Sequence, residues 1–231
     1  MTTALSRPAA SAAVEAIGWR YLLGALSTSI AVTSAAHAAR VAAAIVDACG
    51  DGADHHLSLD LRPDRVEVTL MDDSIAQVTQ RDVELASAVT TAMSELQLST
   101  GGAATTSDQA RRPVQSLELA IDAIDIAAIR PFWRAVMAYI DEPGHSGPTD
   151  PLVDPVRQGP AIWFQQMDAP RPQRNRIHLD LTVSHDEGQR RVDAAVAAGG
   201  TLVSDAHARA FWILADAEGN EVCVCTWQDR D

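Results

Sequence analysis

The sequence predicts an α+β protein with two domains, and three features of the chain lead to that prediction. Residues 99–113 are small, polar and Gly-containing without apolar periodicity, which is typical of a linker. Before this stretch, one alternating segment lies among helix-like segments, which indicates a small antiparallel sheet with helices on one face. After it, an order of strand, helix and further strands occurs twice. We therefore expect domains at residues 1–98 and 114–231.

The first two predicted elements of the N-terminal domain are helices. Residues 19–23 are expected to form an early helix. Residues 34–49 are expected to form a second one, because Val41, Ile45 and Cys49 recur at four-residue spacing beside an Ala-rich flank. This spacing places the three apolar side chains on one side of the helix.

A strand and a capped helix complete this domain. Val66, Val68 and Leu70 alternate with polar residues, which predicts a strand with one buried face. Thr79 and Asp82 have the spacing of a capping box, in which a hydroxyl and a carboxylate bind backbone N–H groups at a helix start. The apolar side of that helix is expected to carry Leu85, Val89, Met93 and Leu96.

In the first half of the second domain, a strand at residues 114–122 precedes a helix at residues 131–140. Pro131 would then lie in the first turn of that helix, where its missing N–H is harmless. A Pro/Gly-rich loop at residues 141–160 separates this helix from a strand at residues 161–167.

The second half follows the same order. A strand at residues 176–183 precedes a helix whose start, at residues 184–187, has the form of a capping box. Gly199 and Gly200 mark the end of this helix. The remaining strands are expected at residues 201–203, 210–215 and 221–227, the last two joined by a turn at residues 216–220.

Composition and charge exclude some classes of function. The chain has 231 residues, of which 47% are apolar, so it can bury a core. The formal net charge of -13 argues against nucleic acid, because a phosphate backbone attracts Lys/Arg patches. Cys49, Cys223 and Cys225 are too few for a disulfide framework, so a reducing cytoplasm fits best. Residues 22–38 are too short and polar to span a membrane, although their Ala36-His37-Ala38 end leaves an export signal as the alternative.

The best candidate for chemistry is the pair His55-His56, one short loop before the strand at residues 65–70. Imidazole has an ordinary pKa of ~6.5, so it can both donate and accept protons near neutral pH. Two such rings beside a strand can protonate a leaving group and hold a polar ring. The pair therefore predicts general acid–base chemistry.

The residues around this pair resemble the pterin-4a-carbinolamine dehydratase (4a-hydroxytetrahydrobiopterin dehydratase) family. The shared pattern covers the first domain: an acidic residue four positions before a His-His, an alternating strand, and a helix start followed by Leu-Ala. The residues that carry the pattern are Gly18-Trp19, Asp51, His55-His56, Val66-Glu67-Val68-Thr69-Leu70, Thr79-Gln80-Arg81-Asp82 and Leu85-Ala86.

The resemblance implies a hydro-lyase that removes water from a pterin 4a-carbinolamine without a metal or other cofactor. His55 and His56 would line the pterin site, with His56 as the acid. Asp51 would orient an imidazole. Asp72 and Asp82 are the expected substrate contacts. The implied partners are a reduced pterin and further copies of the same chain.

Two departures from the family pattern change this expectation. The family has Pro after the His pair, where this chain has Leu57, and a third histidine after the strand, where this chain has Asp72-Asp73. A carboxyl group with an ordinary pKa of ~3.9 is a poor acid near neutral pH, although it can accept a proton or a hydrogen bond. We therefore expect a weakened or altered dehydratase in which Asp73 takes the place of the third histidine. The alternative is a non-catalytic, small-molecule-binding or dimeric domain.

The second domain resembles the glyoxalase/bleomycin-resistance (vicinal oxygen chelate) superfamily. The residues that carry this resemblance are Phe132-Trp133, residues 175–181, Ala198-Gly199-Gly200 and residues 216–221. The resemblance implies paired βαβββ modules. It says little about function, because one fold hosts many chemistries and pure binders. An activity seated in this half is therefore a third hypothesis.

A ligand site in the second domain is expected in the cup of its sheet. Strand alternation places His178 and Asp180 on that face. A histidine with two carboxylates could bind a divalent metal at this face. The position of the superfamily's metal-binding Glu falls at Cys223, however, so no metal is expected there. An organic ligand is expected to contact His178 and three aromatic residues, Phe132, Trp163 and Trp212, instead. The alternative is that these aromatic side chains only pack in the core.

Overall fold

The structure, a computed structural model, describes residues 3–101, 114–170, 173 and 177–229. The chain divides into two compact units, Met1–Ser116 and Leu117–Asp231. Most of the predicted linker, residues 102–113, lies outside the described residues. None of the described helices is long and apolar enough to cross a membrane.

The described residues of unit 1 (Met1–Ser116) form a four-stranded antiparallel sheet and three α-helices. Its strands, in the spatial order β1-β2-β4-β3, are β1 (Arg20–Leu22), β2 (Ala25–Ala31), β3 (Leu57–Leu61) and β4 (Arg65–Leu70). Its helices are α1 (Arg7–Val14), α2 (Ala35–Cys49) and α3 (Gln80–Glu95). One face of the sheet is buried with the helices in a single core that includes Val66, Val68 and Leu70. The expected α+β arrangement is confirmed.

The helix expected at residues 19–23 is wrong, because this segment contains strand β1. The glycines on both sides, Gly18 and Gly24, have φ angles of 82° and 83°, in the left-handed region that does not continue a right-handed helix. Between them Tyr21 pairs with Leu26 in the β1–β2 hairpin. The first helix lies earlier in the chain, in α1.

The beginning of the predicted linker packs against unit 1. The Thr100 hydroxyl donates to the Ile17 carbonyl at 2.6 Å, and the Gly101 N–H donates to the Thr28 hydroxyl oxygen at 2.8 Å. The Thr28 hydroxyl in turn donates to the Gly18 carbonyl at 2.9 Å. These contacts extend unit 1 past residue 98.

Unit 2 (Leu117–Asp231) contains two four-stranded sheets, one from each half of the repeat. The first, in the order β5-β8-β7-β6, consists of β5 (Glu118–Ala123), β6 (Ile140–Asp141), β7 (Leu152–Val153) and β8 (Ala161–Gln166). The second, in the order β10-β11-β12-β9, consists of β9 (Leu179–Thr182), β10 (Thr201–Ser204), β11 (Phe211–Ala215) and β12 (Glu221–Cys225). In each sheet the first strand of the half lies parallel to the last. Both halves therefore have one topology, which confirms the internal repeat.

Helices α4 (Ile126–Met137) and α5 (Gly188–Ala197) share one core with both sheets. Helix α4 begins earlier than predicted: Asp125 is its N-cap and accepts from the Ala128 N–H at 3.1 Å. Pro131 therefore lies inside the helix rather than in its first turn. The capping box expected before α5 is not formed, because Glu187 is the N-cap and makes no side-chain capping bond.

A buried hydrogen bond joins α4 to the turn between β11 and β12. Trp133 Nε1 donates to Asp216 Oδ2 at 2.9 Å, and Asp216 is only 3% exposed. Asp216 Oδ1 accepts from the N–H groups of Glu218 and Asn220, both at 2.9 Å. A carboxylate at this depth depends on such donors, because a buried charge without partners is costly. Trp133 therefore helps to fix the turn that sets β12 beside β11.

We predict that Trp133→Phe lowers the free energy of unfolding by about 1.5–3 kcal/mol, the cost of losing a hydrogen bond to a charged group. Trp163→Phe is the matched control, because this indole is 36% exposed. The control should cost about 0.5 kcal/mol or less. Chemical denaturation of the full-length chain, followed by far-ultraviolet circular dichroism, measures both. Equal costs for the two variants would contradict a stabilising role for the Trp133–Asp216 bond.

Candidate functional site

His55 and His56 lie at the end of the β3–β4 ladder, where pairing continues past both strands. The Met71 N–H donates to the His56 carbonyl at 3.0 Å, and the Asp73 N–H donates to the His55 carbonyl at 2.9 Å. The histidine pair therefore runs opposite residues 71–73. This pairing brings together four residues that the sequence singles out, namely His55, His56, Asp72 and Asp73.

His56 is held by a buried carboxylate. Its Nδ1 lies 2.8 Å from Asp82 Oδ1, and the Asp82 side chain is fully buried. The other carboxylate oxygen, Oδ2, accepts from the backbone N–H and the hydroxyl of Thr79, both at 2.7 Å. An ionised carboxylate is only an acceptor, so the bond places a proton on Nδ1 of His56. The second ring nitrogen, Nε2, is then the atom of His56 that can exchange a proton with a ligand.

The structure gives Asp82 and Asp51 roles other than those expected from the sequence. Asp82 is too deeply buried to touch a ligand, and it is the carboxylate that orients His56. Asp51 is exposed in a short 3-10 turn, Gly50–Gly52, and makes no hydrogen bond to an imidazole of the described part of unit 1. The capping box at the start of α3 is confirmed, and it explains the difference. One oxygen of Asp82 caps the helix, while tertiary packing brings His56 to the other.

His55 is exposed and has a φ angle of 65°, a left-handed conformation that non-glycine residues seldom adopt. It lies in a tight turn in which the His56 N–H donates to the Ala53 carbonyl at 3.2 Å. Unusual backbone conformations of this kind concentrate at functional sites. The geometry of His55 therefore agrees with a role for its ring at this surface.

Asp72 is a buried acidic neighbour of the histidine pair. Its Oδ1 accepts from the Ser74 hydroxyl at 2.5 Å and from the Ser74 N–H at 2.9 Å. The Ser74 hydroxyl bond is the main reason that the Asp72 pKa is lowered, and the nearby imidazoles of His56 and His55 lower it further. Asp72 is therefore ionised near neutral pH. Asp73, one residue later, is exposed.

Arg81 lies beside this site, and no single sequence feature marks its position. Its guanidinium occupies the space that a Cβ on Gly52 would fill, in the turn before His55. Burial raises the pKa of Cys49 in the same region, and the Arg81 charge partly opposes that change. Arg81 therefore packs over the turn that leads to the histidines.

A cavity of about 790 Å³ lies in unit 2. This volume is in the range of sites that bind small molecules. The side chains around it combine imidazole, carboxylate, thiol and aromatic groups. They include His178, Asp180, His207, Phe211, Cys223 and Cys225.

Three of these side chains converge. His178 Nδ1 lies 3.2 Å from Asp180 Oδ1 and 3.9 Å from Cys223 Sγ. One ligand atom from each residue lies within 4.8 Å of the other two. The His178 and Asp180 side chains are 53% and 60% exposed, whereas Cys223 is buried. Burial raises the pKa of the Cys223 thiol to about 11, with a further contribution from Asp180.

None of the three aromatic residues expected at this site, Phe132, Trp163 and Trp212, lines the cavity. Phe132 lies on α4 and is fully buried in the core of unit 2. Trp212 is buried in the core of unit 2, where its ring lies against Gly188 at the start of α5. Trp163 lies on β8 in the sheet of the other half. Side chains alternate between the two faces of a strand, so Phe211, next to Trp212 on β11, is the aromatic residue that lines the cavity.

Two family models match separate parts of the chain. Residues 3–92 match the model described as pterin 4 alpha carbinolamine dehydratase. Residues 118–225 match the model described as glyoxalase-like domain. No curated protein matches the chain. The order of the two matches along the chain confirms the two sequence resemblances.

Solved structures resemble one part of the chain or the other. A transcriptional coactivator/pterin dehydratase from Brucella melitensis is 24% identical over 39% of this chain and 98% of that chain, with a TM-score of 0.35. A glyoxalase/bleomycin resistance protein/dioxygenase family enzyme from Burkholderia phytofirmans PsJN is 19% identical over 47% of this chain and 95% of that chain, with a TM-score of 0.39. A glyoxalase-related enzyme from Fulvimarina pelagi is 16% identical over 49% and 88%, with a TM-score of 0.38.

We predict that Asp72 stabilises the protein in a pH-dependent way. Its folded-state pKa lies below the ordinary 3.8, so its contribution is present above that value and is lost as the pH falls through the lower folded-state pKa. The difference in unfolding free energy between the wild type and Asp72→Asn should therefore shrink as acid is added. Ser74→Ala, which removes the hydroxyl donor, should show part of the same effect. Denaturant unfolding across the acidic range measures both, and a difference that is constant with pH would contradict the prediction.

Proposed function

Because residues 3–92 are a pterin-4a-carbinolamine dehydratase family domain and residues 118–225 a glyoxalase-like domain, we propose that unit 1 is a hydro-lyase acting on a 4a-hydroxytetrahydropterin. The observation that carries the proposal is the bond between His56 and the buried Asp82. The proposal includes a reduced pterin as ligand and a homo-oligomer in the cytoplasm. The free thiols of Cys49, Cys223 and Cys225 agree with that reducing compartment.

The reaction needs an acid at one atom of the substrate and an acceptor at another. The bond between C4a and the hydroxyl oxygen breaks, and the oxygen leaves as water only if it receives a proton. The N5 lone pair forms the new C4a–N5 double bond, and the N5 proton is lost to an acceptor. One proton is donated and one is removed, so the product is a quinonoid dihydropterin and water.

In this proposal His56 supplies the acid. Its Nδ1 is hydrogen-bonded to Asp82, so its Nε2–H donates the proton to the departing oxygen. The hydrogen bond to the buried carboxylate fixes the ring in one orientation. Positioned acid–base groups of this kind contribute about 10²–10⁴-fold to a rate. Asp82 is thus a positioning residue, and His56 is the catalytic residue.

The acceptor for the N5 proton is proposed to be Asp73, the exposed carboxylate beside His55. An ionised carboxylate can take a proton or a hydrogen bond but is a weak acid near neutral pH. Asp72 cannot supply a proton either, because its lowered pKa keeps it ionised. The site therefore has imidazole donors only in His55 and His56, and we expect a slower dehydratase than one with a third histidine.

We predict that His56→Ala lowers kcat for dehydration by about 10²–10⁴-fold. Asp82→Asn should lower kcat with a smaller change in KM, because it weakens the hydrogen bond that orients His56 but does not remove the ligand-facing nitrogen. Formation of quinonoid dihydropterin from a chemically generated 4a-carbinolamine, followed by absorbance, measures both rates.

The matched controls for this test are His37→Ala and Asp64→Asn, which change the same residue types away from the histidine pair, at a half-buried and an exposed position respectively. Both should retain the wild-type rate. If His56→Ala and His37→Ala have the same rate, His56 is not the acid. Equal rates in Asp82→Asn and Asp64→Asn would remove the positioning role of Asp82.

We predict that Asp73→His raises the dehydration rate, because an imidazole can donate or accept a proton near neutral pH where the carboxylate only accepts. The increase should be up to about 10²-fold, the lower end of the range for one acid–base group. The double variant His56→Ala, Asp73→His should lose most of that increase, because both groups act on one substrate. A rate below that of the wild type would show that Asp73 itself is needed as the acceptor.

A second candidate function is that of a small-molecule-binding protein without turnover. The specific observation in its favour is the carboxylate pair Asp72-Asp73 where a third imidazole is expected. Titration of the full chain with a non-reactive reduced-pterin analogue separates the two cases. Binding that depends on His56, combined with negligible dehydration by every variant, would favour the binder.

A further inference from the structure

We propose that two neighbouring segments of unit 2, residues 205–210 and residues 226–229, form a gate at the cavity of about 790 Å³. The ion pair between Arg209 and Asp229 is the latch that holds this gate closed. The first segment connects β10 to β11, and the second follows β12. The gate belongs to unit 2, so it does not depend on the dehydratase function proposed for unit 1.

Both segments form part of the cavity wall. The lining residues that they contribute are Ala206, His207, Ala208, Ala210 and Asp229. Residues 205–209, Trp227 and Asp229 are also exposed to solvent. The His207 ring stacks on Phe211 with a centroid distance of 4.9 Å, so this wall carries aromatic surface as well. A wall that buries so little apolar surface can open while the core of unit 2 stays folded.

The inner connection between the two segments is the hinge of the gate. The Thr226 hydroxyl donates to the Arg209 carbonyl at 2.6 Å, and the Thr226 N–H donates to the Ala210 carbonyl at 2.9 Å. Thr226 is only 1% exposed. Breaking these hydrogen bonds would leave buried polar groups without partners, which is unfavourable. The segments therefore stay joined at Thr226 when the outer connection opens.

The outer connection is the latch. Arg209 Nε donates to Asp229 Oδ2 at 3.0 Å, and Arg209 Nη2 donates to Asp229 Oδ1 at 2.9 Å, the bidentate geometry that joins a guanidinium to a carboxylate. The bond from Arg209 is the main reason that the Asp229 pKa is lowered, so this carboxylate is ionised near neutral pH. The two side chains are 61% and 49% exposed. Exposed ion pairs are weak, so the latch can open without unfolding.

The thiol that this gate protects is Cys225. It lines the cavity, is only 3% exposed, pairs with Phe211 and directly precedes Thr226. Cys223 lies two residues further from the hinge, and Cys49 is buried in unit 1. Opening of the gate should therefore expose Cys225 most, Cys223 less, and Cys49 not at all.

Thiol labelling of the full-length chain measures the opening. The folded protein is treated with a maleimide near neutral pH, and peptide mass spectrometry follows each of the three cysteines separately. Asp229→Asn removes the charge of the latch, and asparagine also tolerates the left-handed φ angle of 53° found at this position. We expect Cys225 to be labelled about 2–5-fold faster in this variant, the effect of losing one exposed ion pair. The labelling rate of Cys49 should not change.

Asp60→Asn is the matched control. It breaks the pair between Arg62 and Asp60 in unit 1, whose side chains are similarly exposed at 59% and 53%, and it should leave Cys225 labelling unchanged. Arg209→Gln should act like Asp229→Asn, and the double variant should add nothing, because both remove one interaction. High salt should accelerate Cys225 labelling in the wild type but not in Asp229→Asn, since dissolved ions screen an exposed pair.

Two results would overturn the proposal. The first is an equal Cys225 labelling rate in Asp229→Asn and Asp60→Asn, which would mean that the ion pair holds nothing closed. The second is an equal acceleration of all three thiols, which would mean general unfolding rather than local opening. Circular dichroism of each variant establishes that it is folded.

Discussion

The carboxylate of Asp82 serves the fold and the candidate site of unit 1 at the same time. One oxygen accepts from Thr79 and completes the start of α3, and the other holds His56. A fully buried carboxylate is stable only when its oxygens accept hydrogen bonds, because desolvation of the charge is costly. The helix start and the orientation of the imidazole therefore depend on each other. A substitution at Asp82 removes support from both.

Strand pairing makes this arrangement possible. The β3–β4 ladder continues through the backbone of His55, His56, Met71 and Asp73, so the histidines lie opposite the acidic pair at one end of the sheet. The departure from the dehydratase pattern at Asp72-Asp73 is therefore a change within the site, not on a distant surface. The nearby imidazoles contribute to the lowered pKa of Asp72, since opposite charges close together stabilise one another.

In unit 2, strand pairing likewise brings polar side chains together at one face of a sheet. Along β12, Val222 and Val224 are in the core, while Cys223 and Cys225 line the cavity. The parallel pairing of β12 with β9 sets Cys223 beside Asp180 and near His178.

The sequence by itself determined the elements with a clear local period. These include the alternating strand β4, the helices α2 and α3 with the Thr79–Asp82 cap, the repeat in unit 2, and the two family resemblances. Very short strands, and strands whose ends are set by the glycines beside them, show no clear period. The sequence alone therefore did not determine them. Strand β1 was mistaken for a helix because its boundaries depend on left-handed glycines, and β6 and β7 are too short to show alternation. Only the tertiary structure decided that Asp82 rather than Asp51 holds His56, that Phe211 rather than Trp212 lines the cavity, and that His178 and Cys223 meet. The reason is physical: a periodic pattern fixes which residues share a face, but packing sets the distances between residues far apart in the chain.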